Sequence, residues 1–481
     1  MGLLFIIQIL QIINIGKVEV IKMENLSVKL NHFIVSSMSP VLSALINHTD
    51  ENNFEKIFSL GAKFAKESKE DLLKLAQLCR DKDPMLTGWV RAMRGLNSTA
   101  REKLVKNLLF NHLIYGGHIR EQKGQEYSTH IPFLVLISPT YACNLRCRGC
   151  YSALYGDRYH FEENEMMNIL QQFYDLGVRF FTFTGGEPFV YPSIMRIFEK
   201  FNDCYFMIYT NGTLLTESRV ARLAKLGNVA ITISIEGWEE MTDWRRGEGV
   251  FKKIVTAYQR LRQAGILCGA SMMATRKNHD QLMNDDYWRF IRELGVEYVW
   301  VFQYMPIGRD ATFDLVPTPE QRFQRFHKIE QLRLSGTFAF IADFWNHGFL
   351  VNGCMSGGAN YLHINAKGGV EPCVFQQYAV DNIRDKSVIE VLKSPFFEGF
   401  KQEIPFNKNL MQPCPIIDNP GKFREHILKY GATPQHEGSD SYFKFSRELD
   451  NLAEEWKKYA IEIWDNEGYG EKYKAEMNQY H

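Results

Sequence analysis

"FLVLISPTYACNLRCRGCYSALYG", residues 133–156, carries a short apolar run into three cysteines, Cys143, Cys147 and Cys150, held within eight positions. The run has the length and composition of a β-strand, so the cysteines fall in the loop at its carboxyl end. Three readings compete for them: metal ligation, a disulfide, or burial in a core. Nine cysteines are an odd number spread over 481 residues without a secretion signal, which favours reduced thiols and a cytoplasmic location over a disulfide framework. A structural zinc takes four ligands, usually as two separated pairs, whereas Cys-x3-Cys-x2-Cys supplies three from one loop. Three thiolates suit an iron–sulfur cube that keeps one iron open to chemistry.

Outward from this loop, short apolar strands alternate with amphipathic helices: "RFFTFTG", "YFMIYTNG", "VAITISIEG", "ILCGASMMA" and "EYVWVFQYMP" are separated by segments such as "EENEMMNILQQFYDLG" and "VFKKIVTAYQRLRQAG". Six such β/α units imply an α/β fold with a parallel sheet and helices outside it. Ligands of these folds gather at the carboxyl ends of the strands. There the sequence places Thr184-Gly185-Gly186-Glu187-Pro188 after the second strand, Thr210-Asn211-Gly212-Thr213 after the third, Ser234 to Gly237 after the fourth and Gln303 to Gly308 after the sixth.

Lysine plus arginine balances aspartate plus glutamate at 56 each, so no global charge points to nucleic acid or an anionic surface. Residues 23–126 read as a helical N-terminal domain, with capping signals such as "NSTAREKLVKN". Residues 132–335 hold the β/α core, 336–420 turn rich in Gly, Asn, Pro and Cys, and 421–481 return to charged helix. The opening "MGLLFIIQILQIINIGK" lacks a basic start and a cleavage site and falls short of the ~20 residues a spanning helix needs. Residues 1–22 are read as the product of a misassigned start codon ahead of Met23, with a peripheral membrane contact as the alternative.

The three-cysteine spacing, Tyr151 directly after it and the Gly-Gly-Glu-Pro turn together resemble the radical S-adenosylmethionine (radical SAM) enzymes, over about residues 132–320. The resemblance implies a partial (β/α)6 TIM-like barrel and a [4Fe–4S] cluster on Cys143, Cys147 and Cys150. It further implies reductive cleavage of SAM to a 5′-deoxyadenosyl radical that abstracts a substrate hydrogen. By position, Gly185, Gly186, Glu187 and Pro188 would meet the methionyl ammonium. Thr210, Asn211 and Gly212 would lie beside the cofactor, and Ser234 and Glu236 would face the ribose hydroxyls. In "DWRRGEGVF", residues 243–251, Arg246 is a candidate carboxylate or phosphate contact.

A second set, Cys354, Cys373 and Cys414, begins as Cys-x13-Gly-x4-Cys with Gly368 as the glycine. It resembles the SPASM and twitch extensions of radical SAM enzymes, which implies an auxiliary [4Fe–4S] cluster near a hairpin of "YLHIN" and "VEPC". Asp418 is a candidate fourth ligand, and His363 a packed residue. Cys79, Cys204 and Cys268 are read as small buried hydrophobes. The family implies a reductant such as flavodoxin or ferredoxin. For the substrate, whose catalytic residues the sequence leaves unassigned, a small molecule or lipid is the favoured expectation. A peptide- or protein-modifying maturase is the alternative, and a non-catalytic iron–sulfur carrier or sensor is the alternative of another class.

Overall fold

The computed structural model describes residues 69–478 apart from Asp157, together with Glu55 and Ser59. The apolar opening at 1–22, with its choice between a misassigned start and a membrane contact, lies outside the described residues. So does most of 23–68.

Six parallel strands form the expected β/α core: β1 (Leu134–Ile137), β2 (Phe180–Phe183), β3 (Tyr205–Thr210), β4 (Val229–Ser234), β5 (Cys268–Ala274) and β6 (Tyr298–Gln303). Runs such as LVLI and FFTF are buried along their whole length, because helices cover the outer face of the sheet and packed side chains fill the inner one. The intervening helices start where the sequence offers caps. Thr216 accepts from Arg219 N at the head of Glu217–Leu226, and Thr318 with Gln321 forms a capping box ahead of Pro319–Leu334.

Past residue 335 the sheet continues. β7 (Phe340–Asp343) adds a seventh parallel strand beside β6. The expected hairpin forms as β8 (Tyr361–Ile364) and β9 (Gly369–Glu371), with Gly368 at φ +88 in its turn. It does not stand apart from the core: β8 pairs in parallel with β1, from Leu134↔Tyr361 to Ile137↔Ile364. The full ladder runs from Asp381–Asn382 through β9 and β8 to β1, and then in order to β7. The strand that feeds the first cysteine loop is thereby flanked on one side by the Gly-Gly-Glu-Pro strand and on the other by the hairpin of the second cysteine set.

The described N-terminal helices lie beneath the amino ends of the strands. Asn97 caps Ser98–Lys103 by accepting from Ala100 N, and its own N–H donates to Gly265 O in the turn before β5. Asn107 donates to the carbonyls of Asn202 and Cys204 before β3, and Arg120 to Gly177 O before β2. These polar side chains satisfy turn carbonyls that would otherwise be buried without partners. The helices therefore close the end of the barrel opposite the cysteines. Among the described residues no helix is long and apolar enough to cross a membrane.

Candidate active site

The three cysteines of the first loop line one cavity of about 190 Å³ at the carboxyl ends of β1–β6, and all nine cysteines of the chain are free thiols. The loop is held from every side. Gly149 takes φ +60, and a Cβ there would fall 2.7 Å from the Tyr304 ring. Arg148 N donates to Arg245 O, and Arg309 N to Cys150 O, so the fourth and sixth loops grip it directly. Cys143 opens to the cavity yet is hemmed in by protein, which pushes its thiol up to about 11; burial raises Cys147 as well, with Arg246 pulling the other way. Metal must displace those protons on binding. Among the described residues no three His, Cys, Asp or Glu side chains close on a single ion.

The Gly-Gly turn packs on the cysteine loop itself. Gly186 N donates to Thr140 O and Glu187 N to Ala142 O, both at 2.9 Å. A Cβ on Gly185 would sit 2.4 Å from Thr140 O, and one on Gly186 2.3 Å from Ala142 O. The glycines are required by contact between two backbones. Ser152, the second residue after Cys150, contacts Cys150 Sγ and donates to Gly185 O at 3.0 Å, a second tie between loop and turn.

Of the residues expected around the cofactor, Gly185, Gly186, Thr210, Asn211, Ser234 and Glu236 line the cavity, while Glu187, Pro188 and Gly212 do not. Glu187 is fully buried behind the turn, where its carboxylate accepts from Thr210 Oγ1 at 2.7 Å, Asn211 N at 2.8 Å and Phe189 N at 3.1 Å. The expectation that it presents its carboxylate to the cavity is corrected accordingly: it braces the third loop against the second. Glu236 reaches the cavity wall but is claimed by Arg245 at 2.6 Å, Arg246 Nε at 2.9 Å and Met273 N at 3.1 Å. Burial would raise its carboxyl, and the two guanidinium groups outweigh that to hold it low. Arg246, a candidate contact for an external anion, has Glu236 as its partner.

The interior of the cavity is apolar, formed by Met207, Met273, Trp300, Phe302, Phe344 and Phe375. Two neutral polar groups in this wall, Thr182 Oγ1 and Trp300 Nε1, are buried without a hydrogen-bond partner among the described residues. Neither was singled out from sequence, because a strand Thr or Trp carries no motif.

Cys354, Cys373 and Cys414 line a second, smaller cavity. Burial pushes the Cys373 thiol up to about 12 and raises the other two. Asp418, expected as a fourth ligand, is turned away. Its carboxylate accepts from Arg322 and from Cys414 N at 3.0 Å, and it does not line this cavity. Its function is to fix the Cys414 loop. His363 is buried between Ser138 and Glu371, at 2.8 and 2.6 Å, and ties β8 to β1. Phe344, Met355, Tyr361 and Phe375 belong to the walls of both cavities, so the two cysteine sites share a partition.

Residues 137–286 match the radical SAM superfamily, and residues 354–415 match SPASM, an iron–sulfur cluster-binding domain. The chain carries a radical SAM domain and a SPASM domain. Over 335 residues it is 25% identical to an AdoMet-dependent heme synthase of Oleidesulfovibrio alaskensis, covering 60% of this chain and 86% of that one. It is 30% identical over 249 residues to the mycofactocin maturase MftC of Mycobacterium tuberculosis, covering 49% and 63%. In fold it resembles SuiB of Streptococcus suis bound to S-adenosylmethionine, with TM-score 0.51 and 17% identity over 76% of this chain and 88% of that one. A radical SAM enzyme takes a [4Fe–4S] cluster and SAM, and its SPASM domain an auxiliary iron–sulfur cluster. The paired three-thiol cavities fit that complement.

Proposed function

We propose that this radical SAM enzyme modifies a peptide, with the core cluster on Cys143, Cys147 and Cys150, SAM against Gly185, Gly186, Thr210, Asn211, Ser234 and Glu236, and an auxiliary cluster on Cys354, Cys373 and Cys414. The observation that carries the reading is one apolar cavity flanked by two separate three-thiol sites. When bound, the cluster and SAM supply hydrogen-atom abstraction from an unactivated C–H bond. The chain's own part is positional. The Gly-Gly turn fixes the cofactor against the cysteine loop, Arg245 and Arg246 hold Glu236 at the cavity wall, and the aromatic wall keeps water from the reacting carbon. A neutral, largely apolar side chain suits that wall, with Thr182 and Trp300 as its hydrogen-bonding contacts.

Sequence alone favoured a small molecule or lipid. The relatives support the peptide alternative: besides the mycofactocin maturase they include a PqqA peptide cyclase of Gluconobacter oxydans and a sporulation killing factor maturation protein of Bacillus subtilis. The heme synthases among them carry the second reading, a tetrapyrrole substrate. A low-potential reductant such as flavodoxin or ferredoxin completes the system, and the free thiols favour a cytoplasmic setting.

The test has two stages. Anaerobically reconstituted protein should form 5′-deoxyadenosine with dithionite and SAM, and alanine at Cys143, Cys147 and Cys150 together should abolish it; continued formation would overturn the core assignment. Co-expression with short peptides encoded beside the gene should then yield a peptide that has lost a pair of hydrogens, read by mass spectrometry. Conversion of a haem precursor with every peptide unchanged would replace this reading with the second.

A further inference from the structure

Tyr361 belongs to two sites at once. It lies on β8, its ring lines both the substrate cavity and the auxiliary cavity, and its hydroxyl donates to Cys373 Sγ at 3.0 Å. The sulfur receives weaker backbone contacts, from Phe375 N at 3.5 Å and from the Gln376 N–H, which leave the tyrosine as its principal side-chain donor. Cys354 has a hydroxyl neighbour too, Ser356 Oγ at 3.1 Å, but Ser356 lines the auxiliary cavity alone. Of the two hydroxyls on these sulfurs among the described residues, that of Tyr361 is carried by a side chain that also lines the substrate cavity.

A hydrogen bond to a cluster sulfur withdraws electron density and favours the more negative, reduced state; it is one of the levers that set cluster potentials. We propose that Tyr361 is a positioning residue that sets the reduction potential of the auxiliary cluster from within the substrate wall. The inference rests on the assignment of an auxiliary cluster to Cys354, Cys373 and Cys414. A substrate pressing on the Tyr361 ring would lengthen or shorten its bond to the sulfur, so occupancy of one cavity is felt in the other.

The experiment is an EPR-monitored redox titration of the reconstituted parent, Tyr361→Phe, and a protein carrying 3,5-difluorotyrosine at position 361. The phenylalanine variant keeps the ring and loses the donor. Its auxiliary midpoint should fall by the equivalent of about tenfold in the reduction equilibrium, about 59 mV for one electron, while the core midpoint stays in place. Difluorotyrosine keeps the ring, acidifies the hydroxyl and should move the auxiliary midpoint upward, which decides the matter should the phenylalanine variant lose its cluster. An unmoved midpoint with difluorotyrosine, or equal shifts at both clusters, would overturn the role of Tyr361 and leave the cluster assignment standing. A parent protein that titrates as a single cluster would instead overturn the assignment itself.

Discussion

Glu187 shows how far a motif can be right in identity and wrong in direction. Gly-Gly-Glu-Pro announced a turn at the cofactor, and Gly185 and Gly186 do line the cavity, but the carboxylate points inward to Thr210 and Asn211. Replacing it with alanine strands three buried donors, at a cost on the order of 1–3 kcal/mol for each left unsatisfied. Glu187→Ala should therefore lower the melting temperature and weaken SAM binding by about tenfold through displacement of the third loop, with core-cluster absorbance retained. Calorimetry that finds parent-like SAM affinity in a destabilised variant would contradict the bracing role. The cysteines were legible because their spacing is itself the chemistry. The orientation of Glu187, the pairing of Glu236 with Arg245 and Arg246, and the unpartnered Trp300 were not, because each depends on which strand lies opposite.

At the scale of the element, the six β/α units could be read from punctuation: apolar runs of strand length, most of them closed by Gly, Asn or Pro. β7 and the parallel pairing of β8 with β1 could not, since neither follows the β/α alternation and the β8 partner lies far off in sequence. The loop after β6 shows what such tertiary closeness demands. Gly308 sits at φ +85, and a Cβ there would stand 2.2 Å from Cys150 O, a backbone atom that cannot yield cheaply. Gly308→Ala should cost on the order of 1–3 kcal/mol from its backbone conformation alone, and it pries the sixth loop from the cysteines. The expected outcome is a lower melting temperature with slower reconstitution of the core cluster and the auxiliary cluster unaffected. Parent-like reconstitution kinetics would show that the sixth loop does not shape the first.

Across the whole molecule, several buried carboxylates are stabilised as anions. Burial would raise Glu330, Asp343 and Glu236, yet Arg333 with His347, Arg325, and Arg245 with Arg246 respectively bring each below the usual carboxylate range. Their unfolded counterparts take up protons first as pH falls, so this stability is complete above about pH 5 and drains away below it. Glu187, Glu297 and Asp418, raised by burial, act in the opposite sense and blunt the effect. The contribution of one group can still be isolated. Glu330→Gln should melt below the parent at pH 7, and the gap between them should narrow as pH drops from about 5 to 3. A gap that stays constant would place the stability of Glu330 elsewhere than in its charge.

The seam between β1 and β8 also bears on how the chain is made. Residues 138–360 separate β1 from β8, so while they are made β1 waits as a bare edge whose buried residues Val135 and Ile137 have no neighbour on one side. An unpaired apolar edge invites pairing with another nascent chain. Late closure also makes the pairing a long-range step, which slows folding. A chain ended after residue 335 would keep every residue of the first cysteine loop and the second, fourth and sixth loops against it, yet lose the Gln377 contact to Tyr151 O and carry that open edge permanently. Such a truncation should partition into aggregates on expression while the full chain stays in the supernatant, so assembly of the first cluster site depends on the arrival of the second.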